Sequence, residues 1–155
     1  MAKPNSLNSL GEARTWLRDH LEEGERCPCC ERTAKVYKRT IHTTMARNLI
    51  RAYRAHYQAP FRPIDLLGAT SPDFVKLRYW DLLVEVDPET VRDDGSPRTG
   101  RWSITNSGIA FIRDAVKVPK YAHIYDGRRL KHSGDPVGIR DCLGQKFSYA
   151  ALMNA

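Results

Sequence analysis

Three of the four cysteines, Cys27, Cys29 and Cys30, fall within the run Cys27-Pro28-Cys29-Cys30. Thiolates at Cys-x-x-Cys spacing with a proline inside can grip one edge of a tetrahedral metal site. Zinc is the expected ion, and a structural zinc needs four ligands. Cys27 and Cys30 would supply two. Cys29, His42, His20 and Cys142 are candidates to complete the set, none at a standard spacing. A site shared across a homodimer is a second arrangement, and a turn that holds no metal is the plainest one. Redox chemistry at Cys-x-x-Cys would need a thioredoxin-like context, which the flanking residues do not supply. Such clustering also differs from the spread cysteines of a secreted disulfide scaffold and points to a reducing compartment.

The second group of reactive residues is cationic. The chain has 155 residues and a net charge of +7. From Arg32 to Arg62 it carries eight basic residues (Arg32, Lys35, Lys38, Arg39, Arg47, Arg51, Arg54 and Arg62) and no acidic one. A one-sign block of that length is either a solvated basic face or a surface for phosphates. Arg47, Arg51 and Arg54 repeat at i, i+4, i+7, so they share one helix face and repel one another unless an anion lies across them. Salt bridges to Glu22, Glu23 and Glu25 are the alternative.

Patterns that carry catalysis are missing. Pro72-Asp73 reads as a helix start rather than half of a nuclease site, because Glu85-Val86-Asp87 lacks the lysine of a Glu-x-Lys. There is no nucleophile elbow, phosphate-cradling glycine loop or His-Glu-x-x-His. His123 and His132 read as surface or packing residues. The expectation is a protein without enzymatic activity.

The elements that must position these residues follow from periodicity and caps. Residues 1–8 read as a flexible tail. Ser9 to Glu12 forms a capping box, opening a helix with Leu10, Ala13, Leu17 and Leu21 on one face and a stop at Gly24. Residues 35–39 suit a short strand. Residues 43–57 form an amphipathic helix, with Met45, Ala46, Leu49, Ile50, Tyr53 and Tyr57 opposite the arginines. A short element at 64–67 ends at Gly68. Ser71, Pro72 and Asp73 then start a helix to Trp80, with Phe74 and Leu77 inward and Lys76, Arg78 and Tyr79 outward or sideways. Strands follow at 82–86 and 101–105, separated by the polar loop 87–100, and Thr105 or Asn106 caps the next helix. Asp126-Gly127 between 121–125 and 128–132 is a hairpin signature. A short helix ends near Gly144, and Ser148 caps a last turn. No apolar run reaches membrane-spanning length, and the N-terminus lacks a secretory signal. A cytoplasmic location is expected.

The order helix, short helix, helix, strand, loop, strand, helix over about 40–113 resembles the winged helix-turn-helix superfamily. The run Leu77-Arg78-Tyr79-Trp80-Asp81-Leu82-Leu83 is similar to the end of a recognition helix. Arg101-Trp102-Ser103-Ile104-Thr105-Asn106-Ser107-Gly108-Ile109-Ala110-Phe111 is similar to the second wing strand and the helix start after it. Asp81 stands where the superfamily usually has glycine at positive φ, a conformation aspartate tolerates. The whole chain also resembles a group of phage and bacterial proteins sharing residues 27–30, 35–39, 76–80 and 118–121 as motifs, which implies no particular activity.

Together the elements and the resemblance give an expected α+β fold: an N-terminal helix and cysteine knuckle (9–39), a winged helix (40–116), as the resemblance implies, then a C-terminal hairpin and helices (117–155). The resemblance implies double-stranded DNA as partner. Lys76, Arg78 and Tyr79 would lie in the groove, Arg98 and Arg101 on the wing, and Arg47, Arg51 and Arg54 along the phosphates. The acids Asp87, Glu89, Asp93 and Asp94 make the wing ambiguous. A phage-type effector binding a host protein through the same module is the alternative, because a fold does not settle its use.

Overall fold

A computed structural model describes residues 2–68, 72–86 and 100–155. The architecture is mixed α+β, with small antiparallel sheets. It comprises two compact units: residues 1–39 with 121–133, and residues 40–120 with 134–155. Residues of the expected C-terminal segment are therefore divided between both. Among the described residues, no helix is long and apolar enough to cross a membrane.

In the first unit, α1 (Leu10–Asp19) starts where Ser9 accepts a hydrogen bond from the Glu12 amide. The reciprocal half of the capping box is replaced, because the Asn8 side chain holds the Glu12 carboxylate. The helix ends at Asp19, a turn before the expected stop at Gly24. Its buried face is Ala13 and Trp16, while Leu10 is exposed. Trp16 stacks on His20, whose Nδ1–H donates to the Trp16 carbonyl. That aromatic pair at i, i+4 takes the place of the expected leucine stripe. Strands β1 (Glu25–Arg26) and β2 (Thr33–Ala34) then form a hairpin around the cysteine turn. Strand β3 (Tyr37–Arg39) pairs with β6 (Val118–Tyr125), and β7 (Arg128–Val137) lies on the other side of β6. Asp126 and Gly127 both have positive φ, as a two-residue turn of this kind requires.

The second unit is built around α2 (Thr43–His56). Met45, Ala46, Leu49, Ile50 and Ala52 are buried, and Asn48 with them. Helices α4 (Asn106–Ile112), α5 (Ile139–Leu143) and α6 (Tyr149–Asn154) and the 3₁₀ helix Phe74–Trp80 all pack on it. A helix covered on so many sides keeps only a narrow solvent stripe. After α2, Phe61 makes a two-hydrogen-bond bridge with Trp102. The short helix α3 (Pro63–Leu67) ends at Gly68, φ +77. Strands β4 (Leu83–Glu85) and β5 (Trp102–Ile104) pair antiparallel, Leu83 opposite Ile104.

The segment before β4 departs from expectation. It is a 3₁₀ helix over 74–80. Three residues per turn align Phe74, Leu77 and Trp80 in one row, and all three are buried. Asp81 follows in the left-handed conformation, φ +60, as the comparison with glycine anticipates. The Thr105 hydroxyl donates to the Asp81 carbonyl and accepts the Gly108 amide, capping α4. Trp80 anchors the row by donating from Nε1 to the Pro119 carbonyl, 2.8 Å away.

Candidate functional site

The candidate interface begins with the arginines of α2. Arg47 is half-buried, with its guanidinium over the Phe147 ring (5.2 Å) and bonded to the Asn48 side-chain oxygen (3.2 Å). Arg54 is exposed and donates to the Leu152 carbonyl at 3.2 Å. Arg51, between them, is exposed. The three arginines of this face thus differ in setting: Arg47 and Arg54 contact the C-terminal segment through Phe147 and the Leu152 carbonyl. Arg62 is also exposed.

Of the three groove residues expected on the 3₁₀ helix, Tyr79 is buried, a correction to its outward assignment. With a period of three, Tyr79 shares a row with Lys76, and its ring lies beneath the Arg78 guanidinium at 4.9 Å. Arg78 also bonds the Tyr79 hydroxyl (3.1 Å) and sits 6.0 Å from the Trp102 ring. Lys76 forms an ion pair with Asp73, three residues back. Arg101 is exposed immediately before β5, where its carbonyl accepts the Val86 amide. Arg98, the expected N-cap Ser71 and most of the expected wing lie outside the described residues. The predicted contacts therefore form two groups with different partners. Arg47 and Arg54 lie with Phe147 and Leu152, and Lys76 and Arg78 lie with Asp73, Tyr79 and Trp102.

One cation escaped the sequence reading. Arg113, at the end of α4, donates to the Tyr53 hydroxyl (3.1 Å) and stands 5.8 Å from both the Tyr53 and Tyr57 rings. The hydrogen bond to Tyr53 raises its pKa above the ordinary arginine value. Tyr53 and Tyr57 fall one helical turn apart, a visible signal, but their cationic partner lies sixty positions away. The acid-free run from Arg32 to Arg62 is itself divided: four of its cations belong to each unit. In the first unit Lys38 lies over Tyr121 (4.0 Å) and Arg39 over Tyr37 (5.5 Å).

The cysteine turn is closed by the Cys27 amide to the Arg32 carbonyl and the Glu31 amide to the Cys27 carbonyl. Backbone amides of Cys30 and then Cys29 hold the Cys27 thiol below its ordinary pKa. The Cys29 amide lies 3.4 Å from the Cys27 sulfur. All four cysteines are free thiols. Cys142, on α5, is pushed up to about 11 by burial and by the neighbouring Asp141 carboxylate. His42 is the exposed N-cap residue of α2 and makes no side-chain cap. Among the described residues, no group of three or more His, Cys, Asp or Glu side chains could hold a metal ion. His123 is buried, with Nε2 2.6 Å from the Ser133 hydroxyl and no partner for Nδ1. No protein-family model, curated protein or solved structure matches the chain.

Proposed function

We propose that residues 40–113 form a winged helix-turn-helix that binds double-stranded DNA, and that the protein acts as a regulator or accessory DNA-binding factor without chemistry of its own. The observation that carries this reading is the bridge between Phe61 and Trp102. It inserts a one-residue strand between α2 and α3 and pairs it with the second strand of the β4–β5 ribbon. Helix, short strand, helix, helix, two-stranded ribbon is the order of winged helices, and the bridge supports this reading. In this reading the 3₁₀ helix is the recognition element, with the wing between β4 and β5.

The exposed cations Arg51, Arg62 and Arg101 supply phosphate contacts, and Lys76 adds a charge on the recognition element. Because Arg78 is stacked on Tyr79, binding leans on backbone contacts more than on base reading. The test is a titration of duplex DNA across a range of salt. Affinity should fall linearly in log–log form, with a slope of about −0.9 per phosphate neutralised. No binding at low salt, or binding indifferent to salt, overturns the reading.

A second reading, an adaptor that binds a host protein, draws on α3. None of its residues is buried, and Ile64 is 54% exposed. Ile64→Glu separates the two readings. It leaves DNA affinity within about twofold if α3 is outside the interface, and abolishes association with a protein that docks on α3.

A further inference from the structure

The cysteine turn brings two thiols at Cys-x-x-Cys spacing to one cavity. Glu31 adopts φ +62 immediately after Cys30, and this reversal curls the turn so that its two ends meet. As a result Cys27 and Cys30 line one cavity of about 320 Å³ in the first unit, and Cys29 is not part of its wall. The Cys29 amide already points at the Cys27 sulfur, 3.4 Å away, the kind of N–H to sulfur bond that a metal-bound thiolate can retain. Two sulfurs from one turn define one edge of a tetrahedron. A structural zinc wants four such donors, and the described residues of one chain assemble no third.

We propose that Cys27 and Cys30 bind one zinc ion together with Cys27 and Cys30 of a second copy of this chain. A two-fold axis through the metal maps each sulfur pair onto the other, so the half-site is completed by itself with no new kind of ligand. Four thiols lose four protons as the ion binds, leaving a centre of net charge −2. The cavity wall suits that charge. Arg32 and Lys35 line it, against a single carboxylate, Asp126, among the described lining residues. Two copies therefore surround the centre with four cations. The site is independent of the DNA reading and stands or falls without it.

The test uses the full chain, reduced and stripped of metal, titrated with zinc and separately with cobalt(II). Saturation is expected at one metal per two chains, with four protons released per ion. Cobalt should give the visible spectrum of a tetrahedral four-thiolate site. Sedimentation should show monomer converting to dimer on zinc addition and back on chelation. Cys27→Ser and Cys30→Ser should each abolish binding and metal-dependent dimerisation, with metal-free melting curves matching the parent, while Cys29→Ser and Cys142→Ser retain both. If the serine variants fail to fold, the parent's stoichiometry and cobalt spectrum decide alone. One metal per monomer, a spectrum with fewer than four sulfurs, or no binding would overturn the proposal.

Discussion

Gly108 leaves no room for a side chain beside the carbonyl oxygen of Leu82. A Cβ built there would collide with that oxygen and lie 2.7 Å from Ile104 Cγ2. The same carbonyl accepts the Thr105 amide, so it cannot swing away freely. This contact joins the start of α4 to the β4–β5 ribbon. Gly108→Ala should destabilise the protein by roughly 2–3 kcal/mol through overpacking against fixed backbone. Denaturant unfolding measures it. A loss under about 0.5 kcal/mol would show that the ribbon relaxes.

Thr105 has two jobs, capping α4 and tying it to the left-handed turn at Asp81. Thr105→Val keeps the shape and removes both hydrogen bonds. A loss of about 1–2 kcal/mol is expected, and Thr105→Ser should recover most of it. If serine is as damaging as valine, the methyl group rather than the hydroxyl is what matters.

Asp81 occupies φ +60, a region disfavoured for residues with a Cβ. Asp81→Val should therefore cost about 1–2 kcal/mol by thermal melting, while Asp81→Gly should be tolerated. Equal losses for the two would place the importance in the carboxylate instead of the backbone.

The α2 arginines should separate in assays. Arg51→Ala should lower the salt slope of DNA binding by about one and leave stability within about 0.5 kcal/mol. Arg47→Ala and Arg54→Ala should also reduce stability, because their guanidinium groups hold Phe147 and the Leu152 carbonyl. Three identical phenotypes would contradict this division.

Cys142, with its pKa near 11, should stay unreactive toward iodoacetamide at pH 8 while the turn cysteines are alkylated. The raised pKa means that the fold favours the neutral thiol. Its contribution to stability is complete below pH 9, the ordinary thiol value, and is lost as pH rises through 11. Mass spectrometry of the alkylated peptides checks the order. Early labelling of Cys142 would show that α5 opens readily.

Much of this architecture was legible in the sequence because its causes are local. Ser9, Thr105 and Ser148 each cap a helix through a side-chain oxygen that accepts an amide three residues on. Asp126-Gly127 turns a hairpin by its own backbone preference, and Asp81 takes the expected left-handed conformation. The range of α2 follows from apolar periodicity within one segment. Such signals act over a single turn, so one stretch of chain contains both cause and effect.

The candidate interface was less legible, because its state depends on what packs beside it. Spacing identified Arg47, Arg51 and Arg54 as one face, but it could not reveal that Leu152, ninety-eight positions later, would accept a hydrogen bond from Arg54. Nor could periodicity reveal that the segment 74–80 would tighten into a 3₁₀ helix, burying Tyr79 under Arg78. The sequence determined which residues carry charge, thiol or aromatic surface, and where helices start. Tertiary structure decided which of those groups remain open to a partner. The physical reason is that caps and turns are satisfied within a few residues, whereas burial is satisfied only by whichever distant segment arrives.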